Sequence, residues 1–184
     1  MYSIIDKDVY RYYGKYKLNL KEKILINNEL KLIESYRKAK YYSKYPLLKY
    51  YYRLKNKRTC EKCLCQISYK TNIGEGFYIG HAMGIIINPE TVIGKNVNIA
   101  QGVTIGQENR GKRKGTPTIG NKVWIGANAV IVGKISIGDD VLIAPNAYVN
   151  FDVPSHSIVL GNPAKIIHKE NATQEYINRT IEEE

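Results

Sequence analysis

The side chains in this 184-residue chain best suited to proton transfer or metal binding are three histidines and three cysteines. His81 stands between glycines in Gly80-His81-Ala82-Met83-Gly84. An imidazole there can take a proton from a hydroxyl and return one to a leaving group, because it titrates near neutrality. His156 lies in the turn sequence Val153-Pro154-Ser155-His156-Ser157, which predicts a capping role, and His168 follows Lys165 by three residues. Cys60, Cys63 and Cys65 form an odd, tight cluster that makes a poor disulfide framework. Cys60-x-x-Cys63 is half of a zinc site, but no second Cys or His pair at suitable spacing completes it, so no metal is expected. The scattered histidines argue equally against a zinc centre built from three imidazoles.

These groups must be positioned by something other than an ordinary helix or strand. From Ile67 onward an aliphatic residue returns every six positions, a period that neither structure has. Thirteen hexads begin at residues 67, 73, 79, 87, 93, 99, 105, 119, 125, 131, 137, 143 and 149. Each would supply a short strand and a corner, and three would close one coil of a prism, giving a little over four coils. Asn96, Asn128 and Asn146 suit corners that need positive φ. A β-sandwich would instead need turn signals every 8 to 12 residues or so, which are missing. The repeat breaks twice. The step from Ile79 to Ile87 is eight residues and contains His81, and the step from Ile105 to Ile119 is fourteen and contains the basic loop 106–117. Insertions that leave a packed repeat are where function tends to sit.

The hexads from Ile67 to Ile167, with the closing phrase Asp152-Val-Pro-Ser-His-Ser-Ile-Val-Leu-Gly161-Asn-Pro-Ala-Lys165, resemble the hexapeptide-repeat acyltransferases. That resemblance implies a mainly β fold, a left-handed parallel β-helix with a short α-helical N-terminal region, assembled as a homotrimer. It implies an acetyl-CoA-dependent O-acetyltransferase with His81 as general base in direct transfer, backbone amides stabilising the oxyanion. Acetyl-CoA would lie along the coils past Trp124, Gly126, Ala127, Ala144 and Pro145 towards Asn150 and Phe151, with Lys165 and His168 at its phosphates. Trp124 would serve equally well as an outward ring packed on a neighbouring subunit. Serine acetyltransferases of this family carry carboxylates just before the histidine and about fifteen residues upstream, and an Arg-His-Pro in the loop. Here those positions read Gly80, Gln66 and Gly115-Thr116-Pro117. The missing charges point to a neutral acceptor, a sugar hydroxyl in surface polysaccharide biosynthesis. Serine O-acetylation is the alternative, restored if a carboxylate such as Glu75 or Glu90 is brought to the site. A non-catalytic β-helix scaffold is the alternative of another class.

Charge and composition divide the chain into a basic, tyrosine-rich helical region 1–62, a β-helix 63–168 and a tail 169–184. Residues 1–62 hold 17 Lys+Arg against 6 Asp+Glu and 12 of the 16 tyrosines, so the whole net charge of +11 lies there. Residues 18–40 predict one amphipathic helix bearing Ile26, Leu30 and Ile33, and Pro46 permits a second through Leu54. Such helices would pack on the base of the β-helix or meet an anionic membrane surface through Tyr and Lys. The basic loop lacks interleaved aromatics, so nucleic acid is not expected as a partner. With no signal peptide and no apolar run of about 20 residues, the expected location is the cytoplasm, at the inner membrane face wherever that contact forms.

Overall fold

The computed structural model describes residues 3–181. Every hexad is a two- or three-residue strand, and the strands stack on three faces. The first face carries β1 (Gln66–Ile67), β4 (Ile86–Ile87), β7 (Thr104–Gly106), β10 (Val130–Val132) and β13 (Tyr148–Val149). The second carries β2 (Asn72–Ile73), β5 (Val92–Ile93), β8 (Thr118–Ile119) and β11 (Ser136–Ile137). The third carries β3 (Tyr78–Ile79), β6 (Asn98–Ile99), β9 (Val123–Ile125) and β12 (Val141–Ile143), then β14 (Ser157–Leu160) and β15 (Lys165–His168). Neighbours within a face pair in parallel and in register, Ile79 on Ile99 and Ile99 on Ile125. The leading aliphatics of all thirteen hexads point inward and are at most 4% exposed. The fold is therefore a parallel β-helix of about five turns. Its last rung departs from the parallel stack, since β15 folds back antiparallel onto β14 through Asn162-Pro163.

Glycine is obligatory where corners stack most tightly. A Cβ on Gly74 would lie 2.5 Å from the Gly94 carbonyl oxygen, and one on Gly94 would meet Gly120 at the same distance. Asn96, Asn128 and Asn146 all take positive φ, as the corner spacing predicts.

Four helices precede the coils: α1 (Ile4–Tyr13), α2 (Leu20–Ile24), α3 (Asn28–Tyr41) and α4 (Leu48–Lys62). The single helix expected over 18–40 is two, because Asn27 turns the chain and caps α3 through Leu30 N–H at 3.0 Å. The second expected helix runs on to Lys62, well past Leu54. Helix α1 was not foreseen, although Ser3 and Asp6 form a capping box and Gly14 closes it at φ 68°.

The helices finish the open edge of the first coil with side chains. Asn56 donates to the Ile67 carbonyl at 3.2 Å, the Tyr36 hydroxyl to Thr71 at 2.7 Å, and Arg37 to Ile73 at 2.6 Å and Gly74 at 2.5 Å. Asp8 accepts the Phe77 N–H at 2.9 Å and holds Arg37 through two contacts of 2.8 and 3.2 Å. Burial pushes the Asp8 carboxyl up, and the guanidinium pulls it back. Each bond satisfies a strand group that no further rung would pair. Leu47, Leu48, Tyr50, Tyr51 and Leu54, at the start of α4, stay exposed. No helix among the described residues is long and apolar enough to cross a membrane.

Candidate active site

The third face hands over to the first at a corner built from residues 80–85, 100–102, 126–129 and 144–147, one set per rung. His81 is exposed at the first of these, where the eight-residue step bulges out, and its carbonyl accepts the Met83 N–H at 3.0 Å. Two helices brace the bulge. The Tyr12 hydroxyl of α1 donates to the Ile79 carbonyl at 2.8 Å and accepts the Ile79 N–H at 2.9 Å. Burial raises the phenol's pKa far above its usual range, so it stays neutral. Glu29, the second residue of α3, accepts the Ala82 N–H at 3.3 Å. Glu29 thus puts a half-buried carboxylate at the residue next to His81. No sequence spacing could show this, since 53 residues separate the partners.

Glu75 and Glu90, the carboxylates considered from sequence, lie elsewhere. Glu75 pairs with Lys7 at 2.9 Å and Lys95 at 3.7 Å at the corner between the second and third faces. Glu90 stands between the first and second faces, where its carbonyl accepts from Thr116.

The residues expected along the acetyl-CoA path divide. Ala127, Ala144 and Pro145 do lie on the His81 corner, two and three rungs along the stack. Gly126 is on that corner but buried, and a Cβ there would lie 2.6 Å from Pro145 and 2.9 Å from Trp124, so its smallness serves packing. The Trp124 ring packs on Tyr176 of the chain's own C-terminal tail, centroids 5.0 Å apart. Asn150 and Phe151 are at the next corner, beyond the first face, because β13 intervenes. There the Asn150 carbonyl accepts from Arg113 of the basic loop. Lys165 and His168 stand at opposite ends of β15: Lys165 opposes Leu160 near the His81 corner, and His168 opposes Ser157 on the far side. Loop 107–117 closes on itself through an antiparallel Glu108–Gly115 bridge and projects one face away from His81.

His156 has φ 57° and places Nδ1 2.9 Å from Asp140. Asp140 also receives the backbone N–H groups of Ala172 and Thr173 and the Thr173 hydroxyl, tying down the tail. The three cysteines are buried free thiols, and burial pushes Cys65 up to about 11. Among the described residues no three His, Cys, Asp or Glu side chains gather as metal ligands.

A profile of bacterial transferase hexapeptide repeats (six repeats) matches residues 116–150. Over those residues the chain is similar to the hexapeptide-repeat transferases, which is the family its closing motif resembles. Within that family the chain is similar to a serine acetyltransferase of Helicobacter pylori, 46% identical over 98 residues, which cover 53% of this chain and 57% of the relative. The chain therefore spans little more than half the length of the curated relatives it first matches. A serine acetyltransferase of Brucella abortus in complex with coenzyme A superposes with a TM-score of 0.74 at 27% identity, covering 91% of this chain and 66% of that one. The Neisseria gonorrhoeae serine acetyltransferase in complex with serine gives 0.69 at 30% identity, covering 89% and 66%. These hexapeptide-repeat relatives correct the expectation of a sugar acceptor. That expectation treated the uncharged Gly80, Gln66 and Gly115-Thr116 as the whole surroundings of His81, whereas the fold brings a carboxylate in from the helical region.

Proposed function

We propose that this chain is a serine O-acetyltransferase using acetyl-CoA, with His81 as its general base. The observation that carries the reading is an exposed imidazole on the bulged corner of a β-helix whose solved neighbours include enzymes crystallised with serine and with coenzyme A. The corner fits an extended thioester substrate. Beyond His81 it presents small side chains, Ala100, Ala127 and Ala144, at successive rungs about 4.8 Å apart, with Lys165 at its far end. Acetyl-CoA would supply an activated carbonyl and a thiolate leaving group.

In this mechanism His81 takes the proton from the serine hydroxyl as the oxygen bonds to the acetyl carbon. The carbon–sulfur bond breaks, and His81 returns the proton to the departing sulfur. No acyl group passes through the protein. Loop 107–117 stands one face from His81 in a single chain, so a threefold assembly would complete the groove with the loop corner of the next copy.

The test is His81→Ala with L-serine and acetyl-CoA, following thiol release. The expected loss in kcat is about 10²- to 10⁴-fold. Near-normal turnover in a folded variant removes His81 from the mechanism. No thiol release by the unaltered chain with serine removes the reading itself.

A further inference from the structure

Serine carries its ammonium on the carbon next to the one bearing the hydroxyl. Whatever receives that charge must therefore stand close to the base. The corner's own residues offer nothing suitable: Gly80 has no side chain, and Gln66 is neutral. The carboxylates of Glu75 and Glu90 lie at other corners. Glu29 alone among the described carboxylates hydrogen-bonds to the His81 bulge, through the N–H of Ala82 at 3.3 Å.

Three features fit Glu29 to bind a cation. It has no Lys, Arg or His partner among the described residues, in a chain holding 28 Lys+Arg. An ionised carboxylate has about four acceptor positions, and the Ala82 N–H uses one. Its backbone is fixed in the first turn of α3, whose cap Asn27 and buried Leu30 and Ile33 hold the helix in place. The side chain is thus held by a rigid element and by the bulge itself.

We propose that Glu29 is the residue that selects the acceptor, by binding an ammonium on the carbon adjacent to the reacting hydroxyl. This rests on the reading of His81 as base and serine as acceptor, and it adds a residue from the helical region to that site. An acceptor lacking the ammonium would leave Glu29 without a charge partner and would bind less well.

The experiment compares L-serine with 3-hydroxypropanoate, the same skeleton without the ammonium, on the full chain and on Glu29→Gln and Glu29→Ala. Glutamine keeps an oxygen for the Ala82 N–H and removes only the charge. In Glu29→Gln the KM for serine should rise roughly tenfold to hundredfold, the loss of a charged hydrogen bond, with kcat little changed. Its kinetics with 3-hydroxypropanoate should not move. An unchanged serine KM in Glu29→Gln overturns the proposal, as does a loss confined to Glu29→Ala, which would mean that the side chain only braces the bulge. A full chain that treats the two acceptors alike also overturns it, and that result needs no variant to fold. Serine turnover with an indifferent Glu29→Gln sinks Glu29 alone, whereas no serine turnover by the full chain sinks the function proposed above.

Discussion

Thr71 and Thr91 stack at the corner between the first and second faces, where the next two rungs carry Pro117 and Ile135. Both hydroxyls are buried without a hydrogen-bond partner. A buried hydroxyl left unpaired costs free energy that a methyl of the same shape does not. Thr91→Val should therefore stabilise the fold by about 1 kcal/mol, raising Tm by about 2 to 4 °C for a chain of this size. A calorimetric scan showing an unchanged or lower Tm would mean that the hydroxyl is satisfied in solution. At the same scale, the bulge that exposes His81 was legible from sequence because a break in a repeat is a local signal. Glu29 was not, because its meeting with Ala82 exists only once α3 is docked on the first coil. That Asn150 and Phe151 stand one corner beyond Pro145 was hidden by their closeness in sequence, since the two-residue β13 lies between.

Among the elements, the strands were the most legible, since a buried aliphatic every six residues encodes its own neighbours. The helices were less so: the break at Asn27 and the whole of α1 rest on caps, which are weak signals beside periodicity. The tail, residues 169–181, carried no readable pattern, yet it is bound to the coils by Asp140, Asn96 and Asn98. Its docking should depend on pH. The bond to Asp140 raises the His156 pKa, so the attraction is complete below the free imidazole value and fades as pH rises through the raised one. For Asp140, burial acts upward, but the Thr173, His156 and Ala172 bonds outweigh it, so its contribution is complete above the free carboxyl value and fades as pH falls through the lowered one. The tail should be held best between about pH 4 and pH 6.5. Hydrogen exchange of the Ala172 and Thr173 amides, corrected for intrinsic rates, should show protection falling above that window. Flat protection to pH 9, or no change in His156→Ala, would dissociate the histidine from docking.

For the molecule as a whole, the separation of His81 from loop 107–117 makes assembly part of the argument for function. A solution mass three times the 21.0 kDa of one chain is expected, with activity confined to that species. Sedimentation equilibrium read beside thiol release checks both, and a fully active monomer would refute the shared groove. The sequence carried the thirteen hexads, a little over four coils of the about five observed, but not what ends the stack, because the groups that end it come from helices 11 to 69 residues away from the strands they cap. That ending has a meaning beyond stability. A parallel coil offers an unpaired row of backbone groups, carbonyls among them, at its first rung, which an identical coil from another molecule could meet at the same ~4.8 Å repeat. Left bare, such a rung is a seed for open-ended growth. The Tyr36 phenol, the Arg37 guanidinium and the Asn56 carboxamide fill that row with shapes no strand can copy, and so the chain ends as a particle instead of beginning a fibre.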